Sequence, residues 1–255
     1  MGRTVDTLVV TAILAIGLGS VGTSRAAQAI PGYIAAAVAD PSRPAADLAA
    51  DEARKPAETL AFVGVRPGQV IVDFFPGGGY FSRLFADAVG AKGKIYAFTP
   101  SELGAIMKKP LPANGSMPDP ARPNIVALVA PVDQFAAPEP VDVVFTAQNY
   151  HDLHDPFMGP ADLSKFNAAV FKALKRGGVY AILDHSAPDG SGLAATNSTH
   201  RIDAAVVRGE VTAAGFVFVG ESGILRNPAD DRSKLVFDPS IRHHTDQFFY
   251  VFRKP

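Results

Sequence analysis

The chain is expected to fold as an α/β protein: a seven-stranded, mostly parallel sheet with helices on both faces and an antiparallel last strand. Three observations carry this. Short β-branched apolar runs alternate with amphipathic helical stretches from residue 69 to about 185, and such alternation calls for a parallel sheet covered on both sides. The first run, QVIVDFF, is continuously apolar apart from Gln69 at its start and Asp73, as a strand buried on both faces must be. The last two runs, FVFVGES and QFFYVFR, have no helical segment between them, so they are free to pair antiparallel at the sheet edge.

Taken in order, residues 30–56 form a preamble in which Pro31, Pro41, Pro44 and Pro56 punctuate helical stretches, since proline ends a helix at or before the preceding residue. AADLAADEAR places acids early and a base late, as the helix dipole favours. Residues 57–63 give a further short helix, closed by Gly64. QVIVDFF then runs into Pro76-Gly77-Gly78-Gly79, and YFSRLFADAVG reads as a helix with Phe81, Leu84, Phe85 and Ala88 on one side. KIYAF is the second strand. A Pro- and Gly-rich insertion spans 100–123, with a short helix near Glu102, and NIVALVA and VDVVFTA are strands three and four. Residues 162–176 predict an amphipathic helix ended by Gly177-Gly178, ahead of the fifth strand VYAILDH. Asp203 to Ala214 is the last helix.

The N-terminal 29 residues have a different character. Arg3 precedes the uncharged run Leu8 to Val21, and Ala27-Gln28-Ala29 supplies a small-x-small exit. This is the pattern of a secretory signal peptide, and a membrane anchor is the competing reading. A spanning helix needs about 20 apolar residues, and Gly17, Gly19 and Gly22 weaken this run. The expectation is an exported, periplasmic protein without a membrane span once the leader is cleaved, and with one domain over residues 57–255. A net charge of -1 without a basic run argues against a nucleic-acid surface, which needs clustered Lys and Arg. The absence of cysteine excludes disulfides, thiolate catalysis and Cys-ligated metals.

In an open α/β sheet, ligands bind beyond the carboxyl ends of the strands, where the strand order reverses. The first strand-to-helix turn is there the cradle for a nucleotide, because glycines allow close backbone approach and helix N–H groups point into the gap. Here it reads Asp73-Phe74-Phe75-Pro76-Gly77-Gly78-Gly79, which lacks the G-x-G-x-x-G spacing of dinucleotide sites. A plain tight turn is the alternative.

VDFFPGGG, the surrounding alternation, LKRGGVYAILDH and the final strand pair resemble the class I S-adenosylmethionine-dependent methyltransferases, from about residue 50 onward. Their fold is Rossmann-like. FPGGGY, NYHDLHD and FDPSIRHHTDQFFYVFRKP are similar, more narrowly, to a group of exported bacterial proteins regarded as methyltransferases. The resemblance implies S-adenosylmethionine as cofactor, with Asp73 at the family's acid position and Gly77 and Gly79 at its second and third glycines. Phe75, Pro76, Gly78, Thr99 and Asn149 complete the expected cofactor-binding set. Phe75 stands where the family has its first glycine. KIYAFTP lacks the acid that holds the ribose, leaving one hydrogen bond from Thr99, with Glu102 as a residue that could reach back.

The segment TAQNYHDLHDPF follows the fourth strand, where the resemblance places the acceptor. His151 is the expected base, since imidazole titrates near neutrality. Tyr150 is expected to pack on the cofactor or orient the acceptor, with Asp152 beside them. Histidines on a solvated loop are the alternative. His151, Asp152, His154, Asp184 and His185 are also of metal-ligating type, but no tight signature such as H-E-x-x-H accompanies them and no metal is expected. His200 is singled out because a helix follows it that could close over the pocket. Three functions remain open: methyl transfer to a small-molecule acceptor, an exported Rossmann-like small-ligand-binding protein without catalysis, and a metal-assisted hydrolase.

Overall fold

A computed structural model describes residues 29–108, 111, 119–159 and 161–255. The expected leader, except for Ala29, and the middle of the 100–123 insertion lie outside the described residues. Among those described, no helix is long and apolar enough to cross a membrane.

The strands are β1 (Val70–Phe74), β2 (Lys94–Pro100), β3 (Ile125–Ala130), β4 (Val141–Ala147), β5 (Leu174–His185), β6 (Val217–Ser222) and β7 (Gln247–Arg253). They form one sheet in the order β3-β2-β1-β4-β5-β7-β6. β1 to β5 pair in parallel, and β7 runs antiparallel between β5 and β6. The chain winds outward from β1 through β2 to β3, then crosses back to lay β4 on the other side of β1. The order therefore reverses between β1 and β4, and a crevice opens at their carboxyl ends.

Alternate residues of each strand serve opposite faces. Ile71, Ile95, Val143, Phe145 and Phe249 pack under α1 (Gly32–Val38), α3 (Pro56–Val63) and α4 (Tyr80–Val89). Val72, Phe74, Val144, Tyr180 and Phe252 pack under α6 (Leu163–Ala173) and α8 (Ala204–Ala213). Two single-turn helices, α5 (Leu103–Ile106) and α7 (Thr196–Thr199), lie in the loops after β2 and β5.

Helix α2 (Ala45–Arg54) is tied to α4 by charge. Arg83 donates to the Asp47 carboxylate at 2.7 and 2.9 Å, and the Tyr80 hydroxyl donates to Asp51 at 2.7 Å. Ile34 of α1 has no exposed surface. Residues 32–54 thus pack onto the sheet's own helix layer and form one side of the crevice.

One element differs from expectation. The helix predicted over 162–176 stops at Ala173, and Leu174 already belongs to β5. Leu174 pairs with Val141 and Val179 with Val143, so residues 175–178 bulge from the ladder. Gly177, at φ 77, takes a backbone that favours glycine and donates to Lys254 O at 2.9 Å. Lys and Arg are good helix formers, but pairing across the sheet overrides that preference at Lys175 and Arg176.

Candidate active site

The first wall of the crevice is the turn after β1. Phe75 sits at φ 62, Gly77 at φ 55 and Gly79 at φ 80, all in the left-handed region that favours glycine. Phe75 thus occupies glycine-type backbone with a side chain attached, and that side chain lines the crevice. A Cβ built on Gly77 or Gly78 would meet nothing within 4 Å, so the backbone there is open to a ligand. Behind the turn Asp73 is buried and accepts from Ser82 Oγ at 2.5 Å. Burial pushes its pKa up to about 6, against the Ser82 hydrogen bond and the Arg54 charge.

The second wall follows β4. Gln148 is also left-handed, at φ 62, and its N–H donates to Leu183 O at 2.7 Å. The Asn149 amide donates to Phe75 O at 3.1 Å and to Ala147 O, which ties the two strand-end turns together. A 3₁₀ turn over His151–His154 then brings the His151 ring inward.

His151 is 2 % exposed and held from behind. Its backbone N–H donates to Asp184 Oδ2 at 2.9 Å, and its Nδ1 lies 2.8 Å from Asp184 Oδ1. Its Nε2 lies 3.1 Å from His200 Nδ1 and 3.3 Å from Asp152 Oδ1. Burial would lower the His151 pKa, but the carboxylates of Asp184 and Asp152 outweigh it and raise the value to about 10. With no other cation on Nε2, the ring is an imidazolium at neutral pH and not the free base expected from its type. His185 behaves oppositely. Burial drives it down to about 3, so it stays neutral, with Nδ1 2.8 Å from Thr245 Oγ1.

A crevice of about 520 Å³ joins the two walls. Asp73, Phe75, Pro76, Gly77, Gly78, Asn149, His151 and Asp152 all line it, as do His185 and His200. Gly79 caps α4 beneath the turn, and Thr99 is buried at the end of β2; neither lines the crevice. Tyr150 is not brought to it. The ring is fully buried on the α6/α8 side of the sheet, and its hydroxyl donates to Glu210 at 2.9 Å and accepts from Asn167 at 2.8 Å. Neighbours on a tight turn diverge, so His151 and Tyr150 face different layers. Of the other histidine and acid candidates, His154 pairs with Glu210 at 3.3 Å and Asp184 backs His151.

Sequence reasoning missed Arg54. It lines the crevice, half-buried, with its guanidinium carbon 4.7 Å from the Tyr80 ring centroid. Its guanidinium has no hydrogen-bond or ion-pair partner among the described residues, and burial lowers its pKa. In the sequence, an arginine in a last helical turn reads only as a dipole complement. Glu102 does not reach back: its Oε1 accepts from Val132 N at 2.9 Å, and Leu103 and Ile106 line the crevice there instead.

The strand order, the reversal between β1 and β4 and the glycine turn define a Rossmann-like α/β fold. No protein-family model and no curated protein matches the chain. Solved structures do. An S-adenosylmethionine-dependent methyltransferase from Aquifex aeolicus is 19% identical, with 85% of this chain and 94% of that chain covered at a TM-score of 0.52. One from Mesorhizobium loti is 17% identical, covering 79% and 97% at a TM-score of 0.52. The 4+2 cyclase SpnF is 14% identical, covering 83% and 81% at 0.54. At these identities the likeness is one of fold, and function has to be argued from the site.

Proposed function

We propose that the protein transfers a methyl group from S-adenosylmethionine to a small-molecule acceptor. The observation that carries this reading is that the open glycine turn and the His151–Asp152–His200 cluster line one crevice at the point where the strand order reverses.

The residues present fit the methionine end of such a cofactor. Gly77 and Gly78 leave room where a Cβ would intrude, and the N-terminus of α4 offers N–H groups to an anionic group. Arg54, free of ionic partners and stacked on Tyr80, suits a carboxylate. The ribose end is held less well, because after β2 the crevice is lined by apolar Leu103 and Ile106 while Glu102 turns to Val132 N.

The chemistry the cofactor supplies is an electrophilic methyl carbon on a sulfonium sulfur. The chain's own part is positioning, which can lower a barrier by several kcal/mol, and removal of a proton from the acceptor. Asp184 fixes the His151 ring so that Nε2 faces the crevice beside Asp152 and His200. The acceptor is held against that cluster, and the Asp152 carboxylate takes its proton. Phe75, Phe157 and Phe237 give the crevice apolar walls. On the leader expectation, the acceptor is met outside the cytoplasm.

The missing ribose acid favours a second reading, a ligand-binding protein without catalysis. Calorimetric titration with S-adenosylmethionine and S-adenosylhomocysteine separates the cases. The expected result is saturable binding that Gly78→Val removes. Absence of binding at millimolar ligand would overturn the proposal.

A further inference from the structure

The His–Asp cluster has a shape that acid–base chemistry does not require. His151 Nε2, His200 Nδ1 and Asp152 Oδ1 form a triangle with sides of 3.1, 3.3 and 3.6 Å. A proton shared between the two rings accounts for the shortest side. An ion pair with Asp152 accounts for a second side, whereas a single cation at the centre accounts for all three at once. A metal ion with bonds of about 2.0–2.1 Å at tetrahedral angles sets its donors about 3.3 Å apart, which is the size of this triangle.

We propose that His151, Asp152 and His200 bind a divalent transition-metal ion, with a coordination position left open toward the crevice. Three further features point to a ligand. The Asp184 carboxylate takes the Nδ1 of His151 at 2.8 Å, the arrangement by which metal-bound histidines are oriented and made better donors. His200 is held at φ 53 at the end of α7, with the Phe237 ring centroid 5.1 Å away, so a non-glycine residue accepts strained backbone in order to present Nδ1. Beside them Asp155 is 1 % exposed and neither of its carboxylate oxygens has a hydrogen bond. The Thr196 hydroxyl is the side chain placed to bear on it by hydrogen bonding, and that hydroxyl also reaches Leu193 O at 3.3 Å. A cation nearby would compensate that buried acid.

Two imidazoles and a carboxylate select zinc, iron(II), cobalt or nickel over calcium or magnesium, which prefer all-oxygen sites. The open position lies where the acceptor is placed by the methyl-transfer reading, on which this last step rests; an acceptor oxygen then completes the coordination. The acceptor class this implies is an oxygen nucleophile.

The test uses the full chain, stripped with chelator, then titrated calorimetrically with Zn²⁺ and followed by visible absorption with Co²⁺. S-adenosylmethionine is titrated in parallel. One Zn²⁺ per chain is expected, with an intense Co²⁺ spectrum, and His200→Ala and Asp152→Asn should each weaken binding by about 100-fold or more. His200 is the most exposed of the three ligands, so its loss is the one the fold best tolerates, and circular dichroism verifies this. The wild-type Co²⁺ spectrum decides even where a variant misfolds. No uptake of Zn²⁺ or Co²⁺ by the wild type, or uptake that both folded variants retain, overturns the site. S-adenosylmethionine binding without metal uptake sinks the metal site alone, whereas metal uptake without cofactor binding sinks the methyl-transfer reading and leaves the site standing.

Discussion

His151 gives both its backbone N–H and its ring Nδ1 to the two oxygens of one carboxylate, Asp184, at 2.9 and 2.8 Å. Asp184 is fully buried, and a third N–H, from His185, reaches it at 2.7 Å. The pair therefore couples the end of β5 to the turn after β4, and it fixes which ring nitrogen faces the crevice.

Asp184→Asn should remove the charge while nearly keeping the shape. Breaking a buried pair from one side typically costs about 3–5 kcal/mol; the amide oxygen can still accept, so a loss of about 2–4 kcal/mol in urea denaturation is expected. In metal-free protein the His151 pKa should fall from about 10, readable by NMR titration of the ring. The sign follows from linkage. A raised imidazole pKa stabilises the fold fully below 6.5, and that share fades as pH rises and is gone above about 10. The gap between wild type and variant should narrow over that range. An unchanged His151 titration would show that Asp184 does not act on the ring.

Gly78→Val separates ligand space from fold space. Gly78 has no left-handed backbone, and an added Cβ meets no atom within 4 Å. Stability should change by less than about 1 kcal/mol, as for an open surface site, while S-adenosylmethionine binding is lost. Gly93→Ala is the contrast. There a Cβ would come within 2.3 Å of Val89 Cγ2 and 2.7 Å of Gln69 O, so overpacking should cost about 1–3 kcal/mol without touching the crevice. If Gly78→Val unfolds the protein, the turn is structural and not a cradle.

Asp73 gives a pH signature of the opposite kind. Its carboxyl is raised from 3.8 to about 6 by burial, despite Ser82 and Arg54. Between those values the folded chain holds a proton that the unfolded chain has released, so stability falls as pH rises. The cost of the buried charge at neutral pH is about 3 kcal/mol. Asp73→Asn should flatten the decline between pH 4 and 7 in denaturation midpoints measured without ligand. A variant curve parallel to wild type would mean that Asp73 is ionised across the whole range.

The limits of the sequence are physical. β1 and β7 were legible because a strand buried on both faces must be apolar throughout, and VIVDF and QFFYVFR nearly are. Phe75 could be marked through the resemblance, as the residue that stands where the family has its first glycine. Arg54 reaches the crevice through tertiary packing that no local pattern announces; His200 was marked by the helix that follows it, but its meeting with His151, 49 residues away, was not. The end of α6 was misplaced because the β4–β5 ladder, and not local propensity, decides where β5 begins.

Tyr150 illustrates the same limit and yields the last prediction. It adjoins His151 in sequence, yet its hydroxyl bonds Glu210 and Asn167 on the opposite side of the sheet, at 2.9 and 2.8 Å. Tyr150→Phe leaves the ring's packing and removes the hydroxyl, so Asn167 Nδ2, in a fully buried residue, loses its acceptor. Stranding a buried donor costs about 1–3 kcal/mol, and the denaturation midpoint should drop accordingly. Affinity for S-adenosylmethionine should stay within about twofold, since the ring never enters the crevice and stability effects at distant sites add independently. A tenfold loss of affinity with unchanged stability would instead place Tyr150 against the ligand, and would require the turn after β4 to rearrange on binding.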